Sequence, residues 1–414
     1  MANAASVSLR SSEPYASPRD SPPVWRERRL DTWLAGLAIC AVPASIAVSE
    51  SLLGGALLLR LWELCRHRAE WNLPRVFRFW AVLAALEVCS WLASPDWKAG
   101  LGEMRHLLLV AAVFVVASSF GSARDRVLIW RGIIATATLS SVVLIVTFVY
   151  RLLFYHGPLD AIIYLRGGGL LHHWMVYGGV EILVFAGLIE LRHFNAGEHR
   201  WLDPALAINS LAILLSLTRM LWVCCLLVLA LHLIWVRSRR VWAVPLIPLV
   251  GFLILPAAGR LRFTEFVQPD YYSNAERVQM LRVGVQMIRE KPLTGIGPGR
   301  VEGVYTGYLS PGDPVPAYHG HLHNNAVQLA AQFGLVVAAA ALWVLVMLFR
   351  DLWRKYRRAS EREEVFLCRT ALLGLMGFVA SGMFDYTYGH SLGLILLGFV
   401  VLSPGWLKAG CRQD

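Results

Sequence analysis

Apolar runs of about 17 or more residues recur along nearly the whole chain, separated by short polar loops. A run of that length, wound as a helix rising ~1.5 Å per residue, matches the hydrocarbon thickness of a bilayer. The feature constrains the fold strongly. In lipid the backbone amides must find partners within the protein, which confines spanning segments to helices or closed barrels. The expected class is an all-α polytopic membrane protein. Composition agrees, with 57% hydrophobic and 16% charged residues in 414, against about 25% charged in a typical soluble domain.

Hydropathy marks about twelve spans, at 32–49, 51–66, 77–94, 105–120, 127–154, 174–191, 202–217, 219–236, 241–258, 325–349, 366–384 and 389–407. The second and seventh are short enough to tilt or re-enter. Residues 1–30, rich in Ser, Pro and Arg, are expected to be a disordered tail before an uncleaved first span. A membrane-embedded domain over 31–408 follows, with 409–414 as a short C-terminus on the tail's side.

The net charge of +11 does not imply nucleic acid, because most of it sits in short loops. The tail carries Arg10, Arg19, Arg26, Arg28 and Arg29; later loops carry Arg66, Arg68, Arg75 and Arg78, then Arg124 and Arg126, then Arg237, Arg239 and Arg240. The last of these loops holds Arg350, Arg354, Lys355, Arg357, Arg358 and Arg362. Twelve spans put all of them on one side with both termini, and the positive-inside rule makes that side cytoplasmic. The opposite, periplasmic side receives the loops at 155–173, 217–219, 260–323 and 384–388. The 260–323 loop is the one large extramembrane segment, so activity is expected there. The sixteen tryptophans fit interfacial belts. None of the seven cysteines falls in the long loop, no CxxC occurs, and no structural disulfide is expected there.

Within the large loop, Ser273-Asn274-Ala275-Glu276 has the form of a capping box, with Ser at the cap and Glu three residues on. Val278, Leu281, Val285 and Ile288 recur at helical spacing and Pro292 ends the segment, so 274–290 is expected to be an amphipathic helix. Arg277 falls in its first turn, where a cation opposes the helix dipole. It is either a solvated arginine paired with Glu276 or Asp270, or a ligand for an anion. Gly297 and Gly299, in the GIGPG turn, permit a tight loop or close approach by a partner.

His319, His321 and His323 precede the tenth span, and Asn324, Asn325, Gln328 and Gln332 continue into it. The polar side chains at 324, 328 and 332 share one helix face. Such a face is costly against lipid and should line a cavity or a helix contact. A histidine at a helix N-terminus is held neutral by the dipole and able to accept a proton. The alternate histidine spacing also allows a three-histidine metal site, although it suits an extended strand and no carboxylate partner stands nearby in sequence. Arg219, in LTRML, lies in a hairpin with little water, where it snorkels or meets an anion. Asp385, in MFDYTYGH, lies on the same side and can orient His323 or a cation. Arg166, in YLRGGG, is a weaker member of the group. The chain has no DxD pair for metal-held nucleotide sugars, no GxxxxGK[ST] loop for ATP and no GxSxG nucleophile elbow.

The order Thr218-Arg219, Arg277 in ERVQML, KPLTGIGPG, His323-Asn324 and Gly334 resembles the O-antigen ligase and O-antigen polymerase superfamily of bacterial inner-membrane glycosyltransferases. Leu281 stands where many members have tryptophan, and Val337 where a second glycine is common. The resemblance implies a GT-C-like, metal-independent, multi-helix membrane transferase without cofactor. Its donor would be a glycan on undecaprenyl diphosphate. In the ligases the acceptor is a sugar of lipid A–core. Carried over, Arg219 and Arg277, with Arg166 beside them, would bind the donor diphosphate and His323 would be the essential histidine. Asn324, Gln328, Asp385, Gly297 and Gly299 would support it. The expected activity is lipopolysaccharide ligation at the periplasmic face of the inner membrane. A polymerase of the same superfamily is the near alternative. A secondary transporter or flippase is the distant one, with Glu87 and Glu181 as intramembrane candidates.

Overall fold

The computed structural model describes residues 30–405 apart from 68–72, 118, 121, 158–164, 196, 198, 255–259, 261–263, 266–267 and 269–270. The tail over 1–29, the last nine residues and Asp270 therefore lie outside the described residues. Among the described residues no strand forms. The first group of helices is α1 Leu30–Ala41, α2 Ile46–Cys65, α3 Arg75–Leu92, α4 Arg105–Ala117 and α5 Ala123–Leu153. Next come α6 Trp174–Phe194, α7 His199–Leu215, α8 Arg219–Trp235 and α9 Leu246–Ile254. The last group is α10 Tyr272–Glu290, α11 Asn325–Phe333, α12 Leu335–Arg358, α13 Arg362–Ser381 and α14 Ser391–Leu402.

Among the described residues, five helices are long and apolar enough to cross a membrane: 99–117 (with α4), α5, α6, α12 and α13. Of the others, α1, α8 and α14 are apolar but shorter. The described residues thus form an all-helical membrane protein, and five candidate spans is the number that length and composition establish among them.

Burial separates the centre from the rim. In α6, 89% of the apolar window is buried and in α13 72%, against 17% in α12. A helix hydrophobic all round and buried all round belongs inside a bundle. Gly187 on α6 shows how close the packing is: an added Cβ would stand 2.2 Å from the ring of Trp130 on α5.

The sequence reading fails at three places, each with a local cause. The first break falls at 42–45, not near residue 50. Pro43 has no N–H to continue α1, and Ser45 caps α2 by accepting from the Val48 amide at 3.4 Å. The tenth span, expected unbroken over 325–349, divides into α11 and α12 at Gly334, whose φ of 89° favours glycine. The 292–297 loop closes the break. Ile296 N donates to Ala331 O at 2.8 Å, Gly297 N to Gln332 O at 3.0 Å, and Leu335 N to Pro292 O at 2.8 Å. These bonds satisfy carbonyls that an interrupted helix leaves orphaned.

The third failure is α10. It begins at Tyr272 with no side-chain cap, so Ser273 lies inside the first turn and the capping box does not form. Its buried face is Gln279, Met280, Val283, Gly284 and Met287, while Val278, Leu281 and Val285 are exposed. Of the four apolar positions singled out in the sequence, three lie on the outward face, and Ile288 packs on the inner cluster.

Candidate functional site

Two sharp turns set the site. At the start of α8, Leu217 takes a positive φ of 51° and Ser216 Oγ accepts from Thr218 N at 3.2 Å. Arg219 then begins the helix, buried, and reaches across to the segment before α10. Its Nη1 donates to Glu265 O at 3.0 Å, and its Nη2 to Asn274 Oδ1 at 2.8 Å and Ser273 Oγ at 3.5 Å. Arg277 Nη1 donates to the same Ser273 hydroxyl at 3.1 Å. The serine that fails as a cap thus holds two guanidiniums on one side of α10. Arg166 approaches from a third element, its guanidinium 3.7 Å from the Trp174 ring centroid.

At the other turn His323 has a positive φ of 47°, uncommon for a non-glycine residue. Asn324 caps α11 by accepting from Val327 N at 3.1 Å, and its amide donates to Met383 O at 3.2 Å. Asn325 is held by the turn after α13: its amide nitrogen donates to Gly382 O at 2.7 Å, and its side chain donates to Thr387 Oγ1 at 2.9 Å. These bonds bring His323 Nδ1 to 3.0 Å from Asp385 Oδ1. Asp385 is 1% exposed, and its second oxygen lies 3.4 Å from His390 Nε2. Burial alone would raise its pKa; the hydrogen bonds from His323 and His390 outweigh burial and hold it well below the usual carboxylate range. An ionised carboxylate only accepts, so His323 Nδ1 and His390 Nε2 both donate. In a neutral His323 the lone pair is then on Nε2.

One cavity of about 820 Å³ joins the two turns. Arg166, Arg219, Arg277, His321, His323, Asp385 and His390 line it, with Ser273, Tyr318 and His173. Trp174, Val176, Met220, Val223 and Phe384 give it an apolar wall. His321 packs edge-on to His323 at 4.2 Å between centroids. Burial pushes its pKa down to about 4, with the neighbouring His323 adding to the effect.

The remaining expectations divide. Asn324 and Gln328 support the site from behind: Gln328 is buried and accepts from Leu322 N at 2.7 Å, fixing the backbone before His323. Gly297 and Gly299 are outside the cavity lining. An added Cβ would meet Ser94 Oγ at 2.1 Å from Gly297, and Ala99 O at 2.1 Å from Gly299, so both serve close packing on the α3–α4 connection. Glu87 is buried against His106 Nε2 at 2.6 Å and Tyr388 Oη at 3.2 Å, and Glu181 is buried in α6; neither lines the cavity.

The three-histidine arrangement is not what forms. His319 turns to Pro316 O at 3.0 Å and to the Tyr305 ring. Asp385, far away in sequence, takes its place, and the donors of His321, His323 and Asp385 lie within 4.8 Å of one another. Within this group His323 donates to Asp385, and the His321 ring stands beside the pair.

Sequence reasoning missed His173, His390 and the role of Ser273. The signal was present for the first two: each sits at the same end of an apolar helix as His323, immediately before α6 and α14.

Residues 204–342, which include Arg219, Arg277 and His323, match the family model described as O-antigen ligase. No individual curated protein matches the chain.

Proposed function

Taking the chain, through its 204–342 segment, as a member of the O-antigen ligase/polymerase superfamily, we propose that it is an O-antigen ligase. It transfers a glycan from undecaprenyl diphosphate to a sugar of lipid A–core at the periplasmic face of the bacterial inner membrane. The observation that supports this reading most is the cavity that faces Arg219, Arg277 and Arg166 with the His323–Asp385 pair.

The chemistry follows from the groups present. The acceptor hydroxyl attacks the anomeric carbon opposite the diphosphate. A new C–O bond forms, the bond to the phosphate oxygen breaks, and the anomeric centre inverts. Extra negative charge develops on the departing oxygen. Preorganised guanidiniums stabilise it through charge-assisted, fork-shaped contacts. His323 Nε2 takes the hydroxyl proton, and Asp385 stabilises the resulting imidazolium. Undecaprenyl diphosphate leaves with the electron pair of the broken bond. The apolar wall of Val176, Met220 and Val223 provides for a lipid-borne substrate.

Purified protein given lipid-linked glycan and lipid A–core, without ATP and with EDTA, is expected to form glycosylated lipid A–core. Elongated lipid-linked glycan in place of that product would identify a polymerase. No transfer to either acceptor by correctly folded protein would sink the transferase reading.

A further inference from the structure

The site carries a histidine that the transfer chemistry above does not use. His390 stands immediately before α14, partly exposed to the cavity, with its Nε2 on the Asp385 oxygen that His323 leaves open. We infer that His390 is a positioning residue: its Nε2–H clamps one oxygen of Asp385, so that the other stays on His323 and keeps the basic nitrogen of that ring aimed into the cavity. The inference rests on the transferase reading of this site.

The geometry favours a fixed donor. An ionised Asp385 only accepts, so the bond needs an N–H on His390. The ring stands at the start of the twelve-residue α14, and Arg105, on α4, bonds the next residue, Ser391 Oγ, at 2.7 Å, which holds that turn in place. The titratable groups that face His390 include His173 from the start of α6, His321 from the loop before α11, and Asp385 itself. Without the clamp, one oxygen of a carboxylate that is 1% exposed loses its hydrogen bond, and the carboxylate is released to turn.

The side-chain amide of glutamine places an N–H where His Nε2 stands; that of asparagine stops short. His390→Ala and His390→Asn are expected to lower kcat about tenfold, with the donor KM little changed. Each should also move the acid limb of the pH–rate profile to lower pH, because an Asp385 free to turn away stabilises the His323 imidazolium less. His390→Gln should restore both rate and profile. Melting midpoints in detergent, measured alongside, separate lost protein from lost turnover, and the pH profile reads only the folded fraction. His323→Ala is run beside them. If it is active, the reading of the whole site fails. If it is inactive while His390→Ala keeps normal rate and profile, this inference alone fails. A Gln variant as slow as Ala likewise overturns the clamp.

Discussion

Two buried carboxylates in this molecule are built from the same parts and stand in opposite circumstances. Glu190, on α6, accepts from His232 Nδ1 at 2.6 Å and from Arg369 Nη2 at 3.0 Å, tying α6 to α8 and α13. All three side chains are buried, and the arginine is further boxed by the rings of Phe194 and Trp235. Asp385 also takes two nitrogen donors, but both are histidines and both open on the cavity that holds Arg166, Arg219 and Arg277. In the first group the anion and its cation are locked together and sealed. In the second the cations and the carboxylate–histidine pair face each other across space large enough for a substrate. Residue types alone do not separate architecture from chemistry here; access does.

The sharpest way to break that contrast is His323→Ala. Losing a general base costs about 10²–10⁴-fold in rate, while its surface position in the cavity predicts normal amounts of folded protein and retained donor binding. Normal turnover would remove the chemical half of the comparison. Loss of donor binding instead would assign the histidine to the diphosphate.

The sealed group should respond in the reverse sense. Arg369→Met strips the cation from a buried carboxylate, which costs about 3–5 kcal/mol. The expected result is little folded protein and a lowered melting midpoint, with whatever folds turning over normally. A stable Arg369→Met protein that has lost activity would show that the α6–α8–α13 lock is coupled to the site.

Arg277→Lys sharpens the cavity side. It keeps the charge and loses the fork, so one charge-assisted bond, about 1.5–3 kcal/mol, or roughly 10–100-fold in kcat/KM, should disappear. Its partner Ser273 is a neutral hydroxyl, so folding should hardly change. Full activity in this variant and in Arg219→Lys would reduce both arginines to anchors.

How far the sequence reached follows the same line between near and far contacts. The helices were legible because each apolar run decides its own backbone. Arg219, His323 and Asp385 were legible beside the ends of such runs, and Arg277 and Arg166 in the loops expected on the same side; the cavity brings the five together. What was not legible depended on partners distant in the chain. The break at Gly334 is set by the 292–297 loop, which bonds residues 35 to 43 positions further along the chain. The pairing of His323 with Asp385 spans 62 positions. On α10, exposed Val278, Leu281 and Val285 mimicked a core face, while the true one includes Gln279, bonded to Pro314 O at 2.8 Å. A polar residue satisfied by a distant carbonyl leaves no periodic trace.

The smallest expected effect concerns His321, which tests whether the cavity cluster responds to acid as a partly buried histidine group should. Burial takes its pKa from the ordinary 6.5 down to about 4. In that window the unfolded chain binds a proton that the folded protein does not, so stability rises with pH between about 4 and 6.5 and falls on acidification. Asp385 has the same sign of dependence in a lower window: its depressed pKa supports the fold above the ordinary carboxylate range, and that support is lost under stronger acid. The two can therefore be separated. His321→Asn cannot titrate, and it should flatten the decline in melting midpoint from pH 6.5 to 4.5, a difference of about 1–2 kcal/mol at the acid end. The measurement is a pair of pH series in detergent, wild type against variant. Parallel curves would mean that His321 is hydrated in solution, and that the cluster around His323 is more open to water than the sealed group at Glu190.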